Sequence, residues 1–224
     1  MMSTADATKL RALLAEKFPG LRLRLDAAPP AGGKFHPSGL PQIDQRLRGG
    51  FPRGALTEII AAGQNCGGST LIRALIQQAA AAGAITALID GTDAFEATTL
   101  DENCLARLLW VRCRATAEAI KAADLVLRDA NLPFVLLDLK WNPETQLRKI
   151  PAATWYRFQR LLEETEAACI VVTPRPLVAP ARARITLAPQ FRLAALEQQA
   201  GPLLRELKLE ISLARKQAEL PFPN

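Results

Sequence analysis

The 224-residue sequence contains one histidine, one tyrosine and four cysteines. The thiols, Cys66, Cys104, Cys113 and Cys169, form no Cys-x-x-Cys pair, so with a single imidazole there is no ligand set of zinc or iron–sulfur spacing. Histidine-based nucleophilic catalysis has no support for the same reason. The cysteines read as reduced and mostly buried, with Cys66 filling a turn, and His36, next to a proline in a Gly/Pro-rich stretch, reads as exposed and structural. No apolar run is long enough to span a bilayer. Residues 1–17 interleave Asp6, Lys9, Arg11 and Glu16 and so lack the apolar centre of a secretory signal. The expectation is a cytoplasmic protein with no metal site and no membrane contact.

The most telling absence is a lysine. Gly63-Gln64-Asn65-Cys66-Gly67-Gly68-Ser69-Thr70 has the frame of a phosphate-binding P-loop, G-x-x-x-x-G-K-[ST]. In a working loop the glycines let backbone N–H groups curl around phosphates, the lysine neutralises their oxygens and the hydroxyl holds magnesium. Here Gly63 and Gly68 take the glycine positions, Gly67 adds a third, Thr70 supplies the hydroxyl and Ser69 stands where lysine belongs. Residues 56–61 form a short apolar run before the loop, and residues 71–82 follow it with an alanine-rich helical pattern ended by Gly83. Strand, loop and helix in that order aim a helix N-terminus at an anion; the competing reading is a glycine-rich turn that merely reverses the chain.

Apolar residues make up 49% and charged residues 22%, a balance that suits one globular domain with a small appendage. Residues 5–17 suggest an amphipathic helix with Leu10, Leu13 and Leu14 on one side, and residues 21–25 alternate leucine with Arg22 and Arg24, a two-faced strand. A Pro/Gly linker follows, dividing an arm at 1–32 from a core at 33–224. In the core, strands are expected at 84–90, 108–113, 133–139 and 168–173. Helices are expected at 100–107, at 116–130 with Thr116 as N-cap, and at 152–166. Alternating helices and continuously apolar strands imply an α/β fold, a mostly parallel central sheet with helices on both faces. Extended segments at 185–193 and 207–214 suit antiparallel strands at one edge. Asp138, closing a buried strand, stands where a carboxylate approaches a P-loop magnesium.

The net charge is +6 and the pI about 9.5, which permits a polyanionic partner. Arg175, Arg182, Arg184 and Arg192 form one basic cluster interleaved with prolines, and Lys140, Arg148 and Lys149 form a second. Either cluster reads as a DNA-facing patch or as a solvated loop surface.

Together these residues resemble a family. Ser38-Gly39-Leu40-Pro41-Gln42-Ile43-Asp44, then Leu47-Arg48-Gly49-Gly50-Phe51-Pro52-Arg53-Gly54-Ala55-Leu56-Thr57-Glu58-Ile59, are similar to the segment that precedes the P-loop in the bacterial RecA recombinase core. Leu88-Ile89-Asp90 with Ala94-Phe95, the Walker B-like Leu136-Leu137-Asp138, and Arg215-Lys216-Gln217 leading to Pro221-Phe222 keep the family's order, so the resemblance covers about residues 36–222. The short length and Leu108-Leu109-Trp110-Val111-Arg112 are similar to the ImuA-type proteins, RecA-like accessory factors of a DNA-damage-inducible (SOS) mutagenesis cassette.

The resemblance implies a RecA-like P-loop core and a non-hydrolysing accessory role in DNA repair and translesion synthesis. The implied partners are an inactive Y-family polymerase homologue and an error-prone polymerase, or RecA itself, with weak binding of single-stranded DNA. The position of the family's water-activating glutamate falls at Thr92, beside Asp93, so no catalytic residue is expected. A lost P-loop lysine alone removes a contact worth about 3 kcal/mol in the transition state, and Arg73, a turn further on, is expected to point away. No cofactor is required, and at most weak ATP–magnesium binding is expected through Gly63, Gly67, Gly68, Ser69, Thr70 and Asp138. The family's mobile DNA loops are abbreviated at 140–151 and 175–181, leaving Lys140, Arg148, Lys149, Arg175, Arg182 and Arg184 as the DNA-binding candidates. Arg215 and Lys216 match residues that reach a neighbouring subunit's nucleotide, and the arm at 5–26 matches a docking element for self-association. Gln217, Leu220 and Phe222 resemble a sliding-clamp-binding peptide. Two alternatives stay open: an active RecA-type ATPase or recombinase paralogue, and a SulA-like inhibitor of a tubulin-like division protein.

Overall fold

The computed structural model describes residues 4–17, 34–189, 191 and 204–214. Helix α1 (Thr4–Lys17) is followed by a two-stranded antiparallel ribbon, β1 (Phe35–His36) with β2 (Phe51–Pro52), around helix α2 (Pro41–Arg46). The core then runs β3 (Ala55–Ala61), α3 (Gly68–Ala81), β4 (Thr86–Asp90), α4 (Glu102–Ala106), β5 (Leu108–Arg112) and α5 (Thr116–Asp129). It continues through β6 (Phe134–Asp138), α6 (Glu144–Leu147), α7 (Ala152–Thr165), β7 (Ala168–Thr173), β8 (Ala183–Leu187) and β9 (Leu209–Leu213). Seven strands form one sheet in the order β5-β4-β6-β7-β3-β8-β9, parallel throughout except that β9 pairs antiparallel to β8.

Period-two alternation explains why the central strands are apolar on both sides. Phe134, Leu136, Ile170 and Val172 pack with Leu71, Ile72, Leu75 and Ile76 of α3. Val135, Leu137, Cys169 and Val171 point the other way, onto Ala119, Ala123, Leu127, Phe158 and Leu162 of α5 and α7. The expected α/β architecture, a mostly parallel sheet covered on both faces, is what the chain adopts.

The two extended C-terminal segments pair antiparallel at one edge, β8 with β9, and β8 also joins β3 in parallel register, Ile59 opposite Ile185. Two local expectations need correction. Ala115, not Thr116, occupies the N-cap of α5. The Thr116 amide instead donates to Gln146 Oε1 at 3.0 Å and its hydroxyl accepts from Asn142 Nδ2 at 2.9 Å, which ties α5 to the loop after β6. His36 is buried, its ring stacked on Phe134 at 4.3 Å. Burial holds its pKa below the ordinary histidine value.

The N-terminal helix packs on its own core. Leu14 is wholly buried among the α5 and α7 residues, and Arg11 Nε donates to Asp129 Oδ1 at 2.8 Å. The rest of the expected arm, the strand at 21–25 and its linker, lies outside the described residues. No helix among the described residues is long and apolar enough to cross a membrane.

Candidate functional site

The glycine-rich loop joins the carboxyl end of β3 to the N-terminus of the 14-residue helix α3. Gly67 caps that helix in the left-handed region (φ 79°), where a Cβ would stand 2.8 Å from both Leu207 Cδ2 and Phe191 Cε2. At Gly68 a Cβ would lie 2.9 Å from that of Ala61. Glycine is therefore required twice, once for backbone conformation and once for close approach. Cys66 is buried and its thiol donates to the Gly63 carbonyl at 3.3 Å, the turn-filling role expected of it. Ser69 is exposed and Thr70 half-buried on the first turn of α3.

Two carboxylates close the neighbouring strands. Asp90 and Asp138 sit opposite each other in the β4–β6 register. Asp90 folds the chain after it: one oxygen accepts the amides of Thr92 (3.3 Å) and Ala94 (3.2 Å), the other that of Phe95 (2.8 Å). Asp138 is nine-tenths buried and desolvation pushes its carboxyl above the usual range, while the Lys140 charge opposes that shift. One Asp138 oxygen accepts the Lys140 amide at 3.1 Å, and the other takes the Lys140 ammonium in a short ion pair.

Lys140 is thus displaced from where the sequence suggested. Its side chain is only 7% exposed, and its Cδ would lie 3.7 Å from a Cβ at Gly68, so the stem runs beside the loop rather than out to solvent. The ammonium borders a cavity of about 170 Å³ whose lining includes Ser69, Thr70, Arg73, Phe95, Glu96 and Lys140. Arg73 was expected to point away from the loop; it lines the same cavity. Glu96 was not singled out from sequence. Its signal was Asp90, whose three accepted amides turn the chain back so that Glu96 returns to the loop.

The residues at the position of the family's catalytic glutamate are placed differently. Asp93 has a positive φ of 55° and makes a two-point ion pair with Arg112, at 2.5 and 2.9 Å. Hydrogen bonding to Arg112 holds the Asp93 carboxyl below its usual range. Arg112 also lies 4.9 Å over the Trp110 ring. Neither Thr92 nor Asp93 lines the cavity.

The sequence resemblance implies ATP with magnesium at this loop, and the residues here do not fit the metal. Magnesium at a phosphate loop is held by a hydroxyl, by one or two carboxylates and by the phosphates themselves, so a cation already seated on the carboxylate competes with it. Asp138 already faces the Lys140 ammonium, and both Asp90 oxygens are engaged by backbone amides.

The remaining basic residues separate into pairs and singles. Arg184 Nε donates to Glu58 Oε2 at 2.7 Å. Arg175 and Arg148 both reach Glu144 Oε1, at 2.7 and 2.9 Å, and these contacts hold the Glu144 carboxyl low, with Arg148 the larger influence. Lys149 and Arg182 are exposed. Arg192, Arg215, Lys216, Gln217, Leu220 and Phe222 lie outside the described residues.

No protein-family model and no curated protein matches this chain. Among solved structures, a crystal structure of the RadB recombinase is similar, with a TM-score of 0.50 and 16% identity over 66% of this chain and 81% of that one. At that identity the likeness establishes the fold, a RecA-like α/β core, and nothing finer.

Proposed function

We propose that this chain is a RecA-fold accessory protein of the DNA-damage response that has lost ATP hydrolysis and acts through protein contacts with weak DNA binding. One observation carries the reading: the P-loop backbone is kept while its chemistry is dismantled. Ser69 replaces the lysine, Asp93 is committed to Arg112, and Thr92 stands off the cavity. Without a cation aimed at the transferring phosphoryl and without a base for water, the loop has little to accelerate. Weak nucleotide affinity survives through the backbone N–H groups and the α3 dipole.

The resemblance to the ImuA-type proteins supports a place in translesion synthesis, with an inactive Y-family polymerase homologue and an error-prone polymerase, or RecA, as partners. ATP turnover tests the core of the proposal. Release of phosphate at background rates, with or without single-stranded DNA, is expected; DNA-stimulated turnover abolished by Asp138→Asn would sink it. The active-ATPase reading has one observation in its favour, Glu96 and two cations on one cavity, and that measurement decides against it or for it. Co-purification separates the SulA-like reading: a tubulin-like division protein in place of polymerases would establish it.

A further inference from the structure

We propose that Lys140 supplies, from the chain itself, the charge that cancels Asp138, a part that a divalent cation plays in an ordinary phosphate-binding loop, so that this loop takes a phosphate-type anion without metal. The inference rests on reading Gly63 to Thr70 as a degenerate P-loop.

The placement of Lys140 carries the argument. In a magnesium-dependent loop the ion lies between the hydroxyl at the start of the helix and the carboxylate at the end of a neighbouring buried strand. Here the corresponding groups are Thr70 and Asp138. The Lys140 ammonium is bonded to Asp138 and lines the cavity that Thr70 lines. Its stem lies beside Gly68, and both partners of the pair are more than nine-tenths buried. A lysine held that far from water is a fixed part of the site, because removing either member leaves an uncompensated buried charge.

Charge and size define the ligand. An ammonium on a carboxylate sums to zero, so Lys140 removes the repulsion of Asp138; the attraction for an anion comes from the N–H groups at the start of α3 and from Arg73, against the Glu96 carboxylate on the same cavity. The cavity, about 170 Å³, is below the roughly 300–1,000 Å³ of sites that enclose a drug-sized ligand. It has room for phosphate groups and not for a whole nucleoside triphosphate. The shared chemistry is that of a polyphosphate, free or as the tail of a nucleotide whose base lies outside.

Manganese binding followed by electron paramagnetic resonance, with calorimetric titration of inorganic tripolyphosphate and of ATP, tests this on the full chain. Wild-type protein is expected to take up no manganese at Asp138 and to bind tripolyphosphate within twofold as tightly in EDTA as in magnesium. Lys140→Gln should lose at least tenfold of the EDTA affinity, recover it when magnesium is added, and gain one manganese site that a second change, Asp138→Asn, removes. Lys140→Arg should keep metal-free binding. Tighter binding of ATP than of tripolyphosphate assigns the nucleotide tail, and equal binding assigns the free polyphosphate; both support the proposal. Manganese bound to the wild type, a tenfold gain in wild-type affinity on adding magnesium, or no tripolyphosphate binding in EDTA overturns it. Should Lys140→Gln not fold, the wild-type measurements decide alone. Failure of the non-hydrolysing reading would instead appear as ATP turnover, so metal uptake without turnover sinks only the role given to Lys140.

Discussion

Glu58 of β3 and Arg184 of β8 stand directly opposite each other in parallel register and close a 2.7 Å ion pair, with the glutamate wholly buried and the arginine about a third exposed. Glu58 Oε1 also accepts the Thr173 hydroxyl and the amides of Leu177 and Val178, at 3.0, 2.6 and 3.1 Å. The carboxylate therefore anchors the segment that leads from β7 to β8. Arg184→Ala should cost about 3 kcal/mol in urea denaturation, since it leaves that charge buried without its counter-ion. Glu58→Gln should cost less, because the arginine it frees reaches water. Equal losses would mean that the shared hydrogen bonds, not the charges, hold the segment.

DNA affinity, if the proposal holds, must come from cations not already paired. Arg184 and Lys140 are engaged internally, and Arg175 and Arg148 share Glu144. Arg182 and Lys149 are exposed. Reversing both to Glu should weaken retention on single-stranded DNA at low salt and lower the log–log salt slope by about 1.4, roughly 0.7 for each lost contact. Unchanged retention would make them an ordinary solvated surface. Arg184→Glu is the wrong probe here, because it would unfold the β8 edge first.

The parts of this fold legible in sequence were those written in local pattern. The runs at 134–138 and 168–173 are apolar on both faces and could only be central strands; the helices at 116–129 and 152–165 carry an apolar stripe. What could not be read depends on residues far apart in sequence. His36 is buried because β1 brings it onto Phe134. The pairing of Arg184 depends on β8 lying beside β3, which strand order alone determines. Lys140 resembled its basic neighbours until the chain's turn after Asp138 placed it inside, and Glu96 reaches the loop only through the hydrogen bonds of Asp90.

Stability should fall as pH drops below about 6.5. Burial holds the His36 pKa below the ordinary value of about 6.5, so between the folded and unfolded pKa values the unfolded chain binds a proton that the native one does not. The contribution is fully present above 6.5 and is lost as pH falls toward the folded value. Asp93, Asp101 and Glu144, held low by Arg112, the Cys104 amide and Arg148, act in a separate window below about 4. His36→Phe keeps a ring against Phe134 and should flatten thermal midpoints between pH 7 and 5. If the variant keeps the wild-type slope, another group titrates there.

Helix α1 acts as part of the core. Leu14→Ala empties a wholly buried site and should cost about 2–5 kcal/mol. Arg11→Ala removes the counter-ion of Asp129, whose side chain is only 1% exposed and keeps the Asn131 amide as a partner, and should likewise cost about 3 kcal/mol. Deleting residues 1–17 should then yield unfolded or aggregating protein. A folded truncation with weakened self-association would instead restore α1 to a docking role.

Ser69→Lys should return the loop toward nucleotide binding. Ser69 is exposed on the first turn of α3 and borders the cavity beside Lys140, so a lysine there has space and an anion-facing position. A charge-assisted contact is worth about 1.5–3 kcal/mol, which predicts a gain of about tenfold or more in ATP affinity at low salt. Repulsion between two nearby ammonium groups limits that gain, roughly 1 kcal/mol at 4 Å in water and about 4 in a partly buried site. The double change Ser69→Lys with Lys140→Gln should therefore gain more than Ser69→Lys alone when magnesium is present, because the metal can then take the place beside Asp138. Calorimetric titration of the three proteins against ATP reads both effects. An affinity raised neither by Ser69→Lys nor by the double change would show that residues 63–70 are a tight structural turn and not the remnant of a phosphate loop.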